Sequence, residues 1–98
     1  MKIFKLHNEK VETLLGWGKE VQLKHLDEAL ESLKEENCSR EIFEVFEAEG
    51  QWYLVAHMEG ENILPANLDR ELNQRHREKI MDCIQEKLET IQVYDLKV

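Results

Sequence analysis

Histidine, tyrosine and glutamate side chains in two neighbouring apolar runs have the types and spacing for acid–base chemistry. His57 and Tyr53 alternate with apolar residues between Trp52 and Met58, and Glu44 lies in the run before them. Histidine and glutamate can exchange protons near neutral pH, and a tyrosine hydroxyl can orient a carbonyl or hydroxyl group. We therefore name His57, Tyr53 and Glu44 as candidate catalytic residues for a small polar substrate.

Three further side chains are candidates for holding a ligand. Lys5 and His7 share one side of the first apolar run, and Trp17 offers a large aromatic surface for stacking. We name His7, Lys5 and Trp17 as candidate ligand-binding residues. Other interpretations stay open, because His57 is also consistent with a buried or interfacial histidine whose nitrogens are satisfied, and Trp17 with a core or dimer contact.

No set of residues indicates a bound metal or cofactor. The histidines lack HExxH spacing, and a site formed by His7, His57 and Glu44 would need three strands to converge. GxGxxG, P-loop and GxSxG motifs are absent. Cys38 and Cys83 lie 45 positions apart without CxxC spacing, which favours inert thiols, with Cys38 partly exposed in a loop and Cys83 in the core. We expect neither cofactor nor metal.

Composition limits the class of protein. A chain of 98 residues has the size of one domain, here residues 1–98. Its 13 basic and 21 acidic residues give a net charge of −8, which argues against nucleic-acid binding. No apolar run approaches the roughly 18 residues of a membrane span, and the first residues lack a signal-peptide pattern. We expect a cytoplasmic protein without a membrane partner.

Hydrophobic periodicity predicts six elements in the order β-α-β-β-α-β. The first helix follows Asn8 as N-cap, ends at Asn37, and contains Gly16 and Gly18 as possible sites of a kink. The predicted strands and helices cover residues 2–7 (strand), 9–36 (helix), 40–49 and 52–58 (a hairpin), 68–88 (helix) and 90–98 (strand). This order predicts an α+β ferredoxin-like fold, with two helices on one face of a four-stranded antiparallel sheet.

The predicted hairpin is apolar on both of its faces. Phe43 and Val45 alternate with Ile42 and Phe46, so the face away from the helices also carries apolar side chains. Soluble monomers rarely leave such an area uncovered. A second copy of the chain, related by a two-fold axis, is the simplest cover, and we expect a homodimer.

The element order, the long first helix and the two-faced sheet together resemble the dimeric α/β-barrel superfamily of ferredoxin-like folds. The segment LDEALESLKEENCSREIFEVFEAEGQWYLVAHME, with His76 and Cys83, looks most like a family of small bacterial proteins of unknown function. More distantly, the chain resembles L-rhamnose mutarotase-like proteins and cofactor-independent antibiotic-biosynthesis monooxygenases. The mutarotase resemblance implies a catalytic histidine near Gln22 and a tyrosine near Trp17, and this sequence departs from that pattern at both positions.

These observations lead to three functional hypotheses. The first is a cytoplasmic homodimer that binds a small molecule in the cavity between two sheets, which is where the resemblance places ligands. The second is a cofactor-independent isomerase, mutarotase or monooxygenase that uses His57 with Tyr53 or Glu44. The third is a non-enzymatic interaction module with a filled, apolar interior.

Overall fold

The computed structural model describes all 98 residues and contains four strands and three α-helices. These elements follow the pattern of apolar and polar residues along the sequence. A short 3-10 turn at Asn8–Lys10 precedes the first helix. The elements are β1 (Lys2–Leu6), α1 (Val11–Lys24), α2 (Leu26–Glu35), β2 (Cys38–Ala48), β3 (Gln51–Gly60), α3 (Glu71–Cys83) and β4 (Ile84–Leu88). None of the helices is long and apolar enough to cross a membrane.

The strands form one antiparallel sheet in the order β2-β3-β1-β4. This confirms the predicted α+β class with a four-stranded antiparallel sheet, and the arrangement fits a ferredoxin-like fold in general. The register sets Phe4 opposite Leu54 and Ile3 opposite Val55. Since neighbouring side chains of a strand point to opposite faces, Phe4 and Leu54 share one face and Ile3 and Val55 the other.

The helices cover the face that carries Leu54. The central cluster of the core consists of five buried residues, with Phe4 and Trp52 packed at its edge. Burying a side chain of this size stabilises the fold by about 1.5–3 kcal/mol, so this small cluster holds the helices on the sheet. The five core residues are Leu6, Val11, Leu14, Leu54 and Cys83.

The first helical region is broken at His25, and the prediction of one continuous helix is wrong. His25 adopts φ −129° and ψ 17°, outside the helical region, whereas Gly16 and Gly18 lie inside the uninterrupted helix α1. The predicted N-cap is also wrong, because the Asn8 side chain instead donates to the Gly50 carbonyl oxygen at 2.8 Å. Asn37 ends the region with φ 58°, as predicted.

The last strand lies earlier than predicted. The four-residue spacing of Ile80, Ile84 and Leu88 favours continued helix, but α3 ends at Cys83 and Ile84 is already extended. Strand β4 therefore follows α3 with no intervening residue and pairs with β1, setting Leu88 opposite Ile3. Residues 90–98 have no regular structure, so the strand predicted there is wrong.

Both cysteines are buried and free. The prediction holds for Cys83, which belongs to the core, and fails for Cys38, which is the first residue of β2 rather than a partly exposed loop residue. The Cys38 thiol donates to the Arg40 carbonyl oxygen, with the two atoms 3.2 Å apart. Burial, reinforced by the charge of Asp82, raises the pKa of the Cys83 thiol.

Candidate functional site

The face of the sheet away from the helices carries the three candidate catalytic residues. In the pairing of β2 with β3, Glu44 lies opposite Val55. Tyr53 lies two residues before Val55 on β3, and His57 lies two residues after it. Side chains two residues apart on a strand share a face. Glu44, Tyr53 and His57 therefore surround Val55 on one surface, which we call the open face.

His57 has one nitrogen with a weak partner and one with none. Its Nε2 lies 3.5 Å from an Oε1 oxygen of Glu59, whereas its Nδ1 is buried and has no hydrogen-bond partner. A buried polar atom without a partner costs free energy comparable to a lost hydrogen bond. This nitrogen is therefore the atom of the open face most in need of a further contact.

Aromatic stacking fixes the neighbouring side chain of Tyr53. The rings of Tyr53 and Phe46 are stacked, with their centroids 5.1 Å apart. Stacked pairs of this kind contribute about 0.5–1.5 kcal/mol beyond the area that they bury. The ring of Tyr53 is thus held on the open face, while 44% of Phe46 remains exposed beside it.

The three candidate ligand-binding residues do not form one group. Lys5 pairs with Tyr53 and so belongs to the open face. His7 lies just beyond β1, where its backbone N–H donates to the Cys83 carbonyl oxygen at 2.9 Å. Trp17 is only 4% exposed, and its Nε1 donates to Nδ1 of His76, which lies in α3. Trp17 therefore lies on the helix side, apart from Lys5 and Tyr53.

Two adjoining cavities, which no pattern of residues indicated, lie on the helix side of the sheet. The outer cavity has a volume of about 320 Å³ and is mainly apolar, with Phe43, Leu68 and Ile80 in its wall. The inner cavity has a volume of about 100 Å³. Ala66, Asn73 and His76 line both. We call the two together the helix-side groove.

A buried carboxylate lies in the wall of the inner cavity. Glu36, at the end of α2, is 6% exposed, and Ser32 Oγ donates to its Oε2 at 2.8 Å. No lysine, arginine or histidine forms an ion pair with it, and its Oε1 oxygen is not among the buried polar atoms that lack a partner. The C-terminal end of a helix carries partial negative charge, which further disfavours a carboxylate there.

A second carboxyl group lies in the same wall. Glu41 lines the inner cavity, and although the residue as a whole is exposed, burial of its carboxyl group raises its pKa. The negative charge of Glu36 raises that pKa further. Two carboxyl groups that share a small cavity favour a proton or a cation between them.

His76 stands where the two cavities meet. Its Nδ1 accepts the indole N–H of Trp17 at 2.9 Å, which assigns the proton of the neutral ring to Nε2. The ring lies between Trp17 and Phe43, with centroid distances of 6.2 and 5.5 Å. Burial lowers the pKa of His76, so the ring stays neutral near pH 7.

The polar residues of the groove come from three separate elements, which is why sequence reasoning missed them. Asn73 in α3 donates to Ser32 Oγ in α2 at 2.7 Å, across 41 positions of the chain. Glu36 also follows Glu35, whose carboxylate binds Arg70 on the surface, with Arg70 Nε 3.0 Å from Oε1. Adjacent glutamates at a helix end are typical of a solvated surface, and only the packing distinguishes these two.

The arrangement defines a class of protein rather than a reaction: an α+β domain whose sheet is covered by helices on one face and bare on the other. No group of three or more histidine, cysteine, aspartate or glutamate side chains is placed to hold a metal ion. Comparison with known proteins finds no match to this chain among family models, curated proteins or solved structures.

Proposed function

We propose that this chain acts as a homodimer, with the open faces of two copies packed together, and that it binds a small polar molecule between them. The observation that carries the proposal is the apolar centre of the open face. Ile3, Ile42 and Val55 meet there across three paired strands, next to Phe46, and no helix lies over them. Covering such a surface is favourable by about 25 cal/mol per Å² of apolar area.

The size of the open face suits a second copy of the chain. Two strands of 10 or 11 residues and two of 5 make up the sheet. At about 3.3 Å per residue and about 4.8 Å between strands, they span about 500 Å² before the relief of the side chains is counted. Stable interfaces bury about 800 Å² per partner, so this face supplies most of what a dimer needs.

The charges of the open face also suit a copy of itself. Lys5 and Glu44 give it both signs of charge. A two-fold axis sets one surface against the same surface, so positive and negative groups of the two copies can face one another. A surface of one sign would instead repel its own copy.

Four polar groups of this face are suited to hold a small polar ligand. The unpartnered Nδ1 of His57 needs a hydrogen-bond partner, and the Tyr53 hydroxyl, the Glu44 carboxylate and the Lys5 ammonium lie on the same face. The resemblance to dimeric α/β barrels supports this ligand position. Because His57, Tyr53 and Glu44 can also move protons, a cofactor-independent isomerase-like or monooxygenase-like reaction is the second candidate.

Light scattering after size-exclusion chromatography tests the dimer. The chain has a mass of 11.7 kDa, so we expect about twice that value at micromolar concentration. Val55→Lys should shift the mass to that of the monomer, because it buries a charge in the interface. Leu23→Lys is the matched control, since Leu23 is 83% exposed on α1. A wild-type monomer, or a Val55→Lys dimer, would contradict the proposal.

A thermal-shift screen of small polar metabolites then tests ligand binding. Compounds that bind between the sheets should raise the melting temperature of the wild type and lose this effect in His57→Ala. If the dimer forms but no compound acts in this way, the chain is an interaction module and the ligand part of the proposal fails.

A further inference from the structure

We propose that residues 90–98 of one copy, which we call the tail, pair with the free edge of β2 in a second copy, so that two chains exchange their tails. This inference rests on the proposed homodimer and adds a second surface that holds the two copies together. It gives a partner to a segment that forms no strand within a single copy.

The tail is apolar and uncovered. Ile91 is 92% exposed, Val93 90% and Leu96 80%. The segment contains β-branched and aromatic residues but no glycine or proline, a composition that favours extended structure. Exposed apolar segments of this kind pair readily with the edge of a sheet. The tail therefore has the character of a strand without a neighbour.

The sheet of the same copy offers the tail no adjacent strand. Strand β4 pairs with β1 alone, and Leu88 lies opposite Ile3. Because β1 begins at Lys2, the strand beside β4 ends one residue past Ile3. Residues from 90 onward thus run beyond β1, and a partner strand has to come from elsewhere.

The edge of β2 that continues past this point is free. Glu44 pairs with Val55, which pairs with Ile3. Since Ile3 pairs with Leu88, these four residues form one row across the sheet. Strand β2 extends beyond the row from residue 43 back to residue 38. It pairs only with β3, and no backbone hydrogen bond outside the sheet reaches it, so its outer N–H and C=O groups are unpaired.

Face-to-face packing of two copies brings the tail to this edge. The sheet order β2-β3-β1-β4 places β2 and β4 at opposite edges, so a two-fold axis parallel to the strands sets β4 of one copy over β2 of the other. Such a rotation preserves the direction of each strand, and β4 runs opposite to β2 in the sheet. The tail of one copy therefore runs antiparallel to residues 38–43 of the second copy.

The spacing of the two sheets sets the register of this pairing. Packed sheets lie about 10 Å apart and a strand advances about 3.3 Å per residue, so about three residues, 89–91, cross between the layers. Residues 92–97 then pair with residues 43–38, which sets Val93 opposite Ile42. The same register sets Asp95 opposite Arg40, and opposite charges that face each other across two strands stabilise their pairing.

Disulfide trapping in the 98-residue chain tests this register. Mild oxidation of the double variant Ile42→Cys, Val93→Cys with copper phenanthroline should give a covalent dimer of about twice 11.7 kDa on a non-reducing gel. Each single variant should keep the monomer mass, since Cys38 and Cys83 are buried. The double variant Ile42→Cys, Tyr94→Cys is the matched control. It should cross-link about tenfold more slowly or less, because residue 94 points to the other face.

Light scattering on the same samples separates the exchange of tails from the proposed dimer. A double variant that is a dimer in solution but gives no covalent dimer, or that cross-links within single chains, would overturn the exchange and leave the dimer standing. A wild-type monomer in solution would contradict the dimer itself and the exchange with it.

Two further variants measure what the tail contributes to the dimer. Val93→Asp should raise the dimer dissociation constant by about tenfold or more, because it places a carboxylate beside Ile42 and near Glu44. Val98→Asp, beyond the end of the pairing, is the matched control and should leave this constant unchanged. Both positions lie outside the helices and strands of the single chain, so neither change disturbs its fold. A Val93→Asp protein that dimerises like the wild type would overturn the proposal.

Discussion

The hydrogen bond from Trp17 to His76 should make the stability of the protein depend on pH in a predictable direction. Trp17 Nε1 donates to Nδ1 of His76 at 2.9 Å, so this nitrogen must be unprotonated. Burial lowers the pKa of His76 below its ordinary value of 6.5. Between that lowered pKa and 6.5 the unfolded chain binds more protons than the folded one, so stability falls as the pH falls through this range.

The size of the effect follows from the environment of the indole. Trp17 is 4% exposed, and a buried donor that loses its acceptor costs about 1–3 kcal/mol. Replacing His76 with phenylalanine keeps an aromatic ring between Trp17 and Phe43 and removes the acceptor, so we expect a loss of that size at pH 7.5. His76→Asn is the matched control, because its Oδ1 takes the place of Nδ1, and it should lose less than about 1 kcal/mol.

Urea unfolding, followed by circular dichroism at one protein concentration, measures these differences. For a domain of this size the slope is about 1–1.5 kcal/mol per M urea, so a loss of about 1–3 kcal/mol in His76→Phe should lower the midpoint by about 0.7–3 M. Lowering the pH from 7.5 to 5 should destabilise the wild type relative to His76→Asn. This comparison removes the opposite contribution of Glu41, whose raised pKa makes stability fall as the pH rises above 4.5.

Two results would refute this reasoning. One is a His76→Phe midpoint within about 0.3 M of the wild type, which would mean that the indole N–H finds another acceptor at little cost. The other is a His76→Asn protein as unstable as His76→Phe, which would make the packing of the ring, rather than the hydrogen bond, the source of stability. Arg75, whose guanidinium lies 5.1 Å from the centre of the Trp17 ring, remains in place in both variants.

Two further predictions concern glycine and cysteine positions. Gly60→Ala should destabilise the fold by more than about 1 kcal/mol, because the new Cβ would overlap the Asn37 carbonyl oxygen. Gly16→Ala, at an open position of α1, should instead stabilise the fold by about 0.5–1 kcal/mol. Equal urea midpoints for the two variants would contradict this prediction. Cys83, which is 1% exposed and has a raised pKa, should react with a thiol reagent at pH 8 only after unfolding, and rapid labelling of the native protein would contradict its placement in the core.

The strands and their faces were largely predictable because alternation is a local property of the sequence. The side chains of Tyr53, Val55 and His57 follow period two, and the observed register keeps them on the face opposite Leu54. The pairing partner of each strand, by contrast, depends on residues distant in the chain. The tail at 90–98 alternates better than Ile84–Leu88, yet the latter pairs with β1 because it directly follows α3.

The same distinction between local pattern and long-range packing separates the candidate residues of the open face from those of the helix-side groove. Those of the open face lie on strands and could be grouped by counting residues. Those of the helix-side groove could not, since Glu36 and Asn73 become neighbours of one cavity only after α2 and α3 have packed on β2. No glycine or proline adjoins His25, so the sequence carries no local signal for the break between α1 and α2. Tertiary packing, rather than local preference, decides such features.

Strand β4 begins at the residue after the end of α3, and this junction limits where the fold can accept insertions and deletions. Inserting one residue between Cys83 and Ile84 would turn the helix by about 100° relative to the strand, or exchange the two faces of β4. Either change would remove Cys83 or Leu88 from its present contacts. The ten residues between β3 and α3 carry no such restriction. Among chains that share this fold, we expect insertions and deletions at 61–70 and none between 83 and 84.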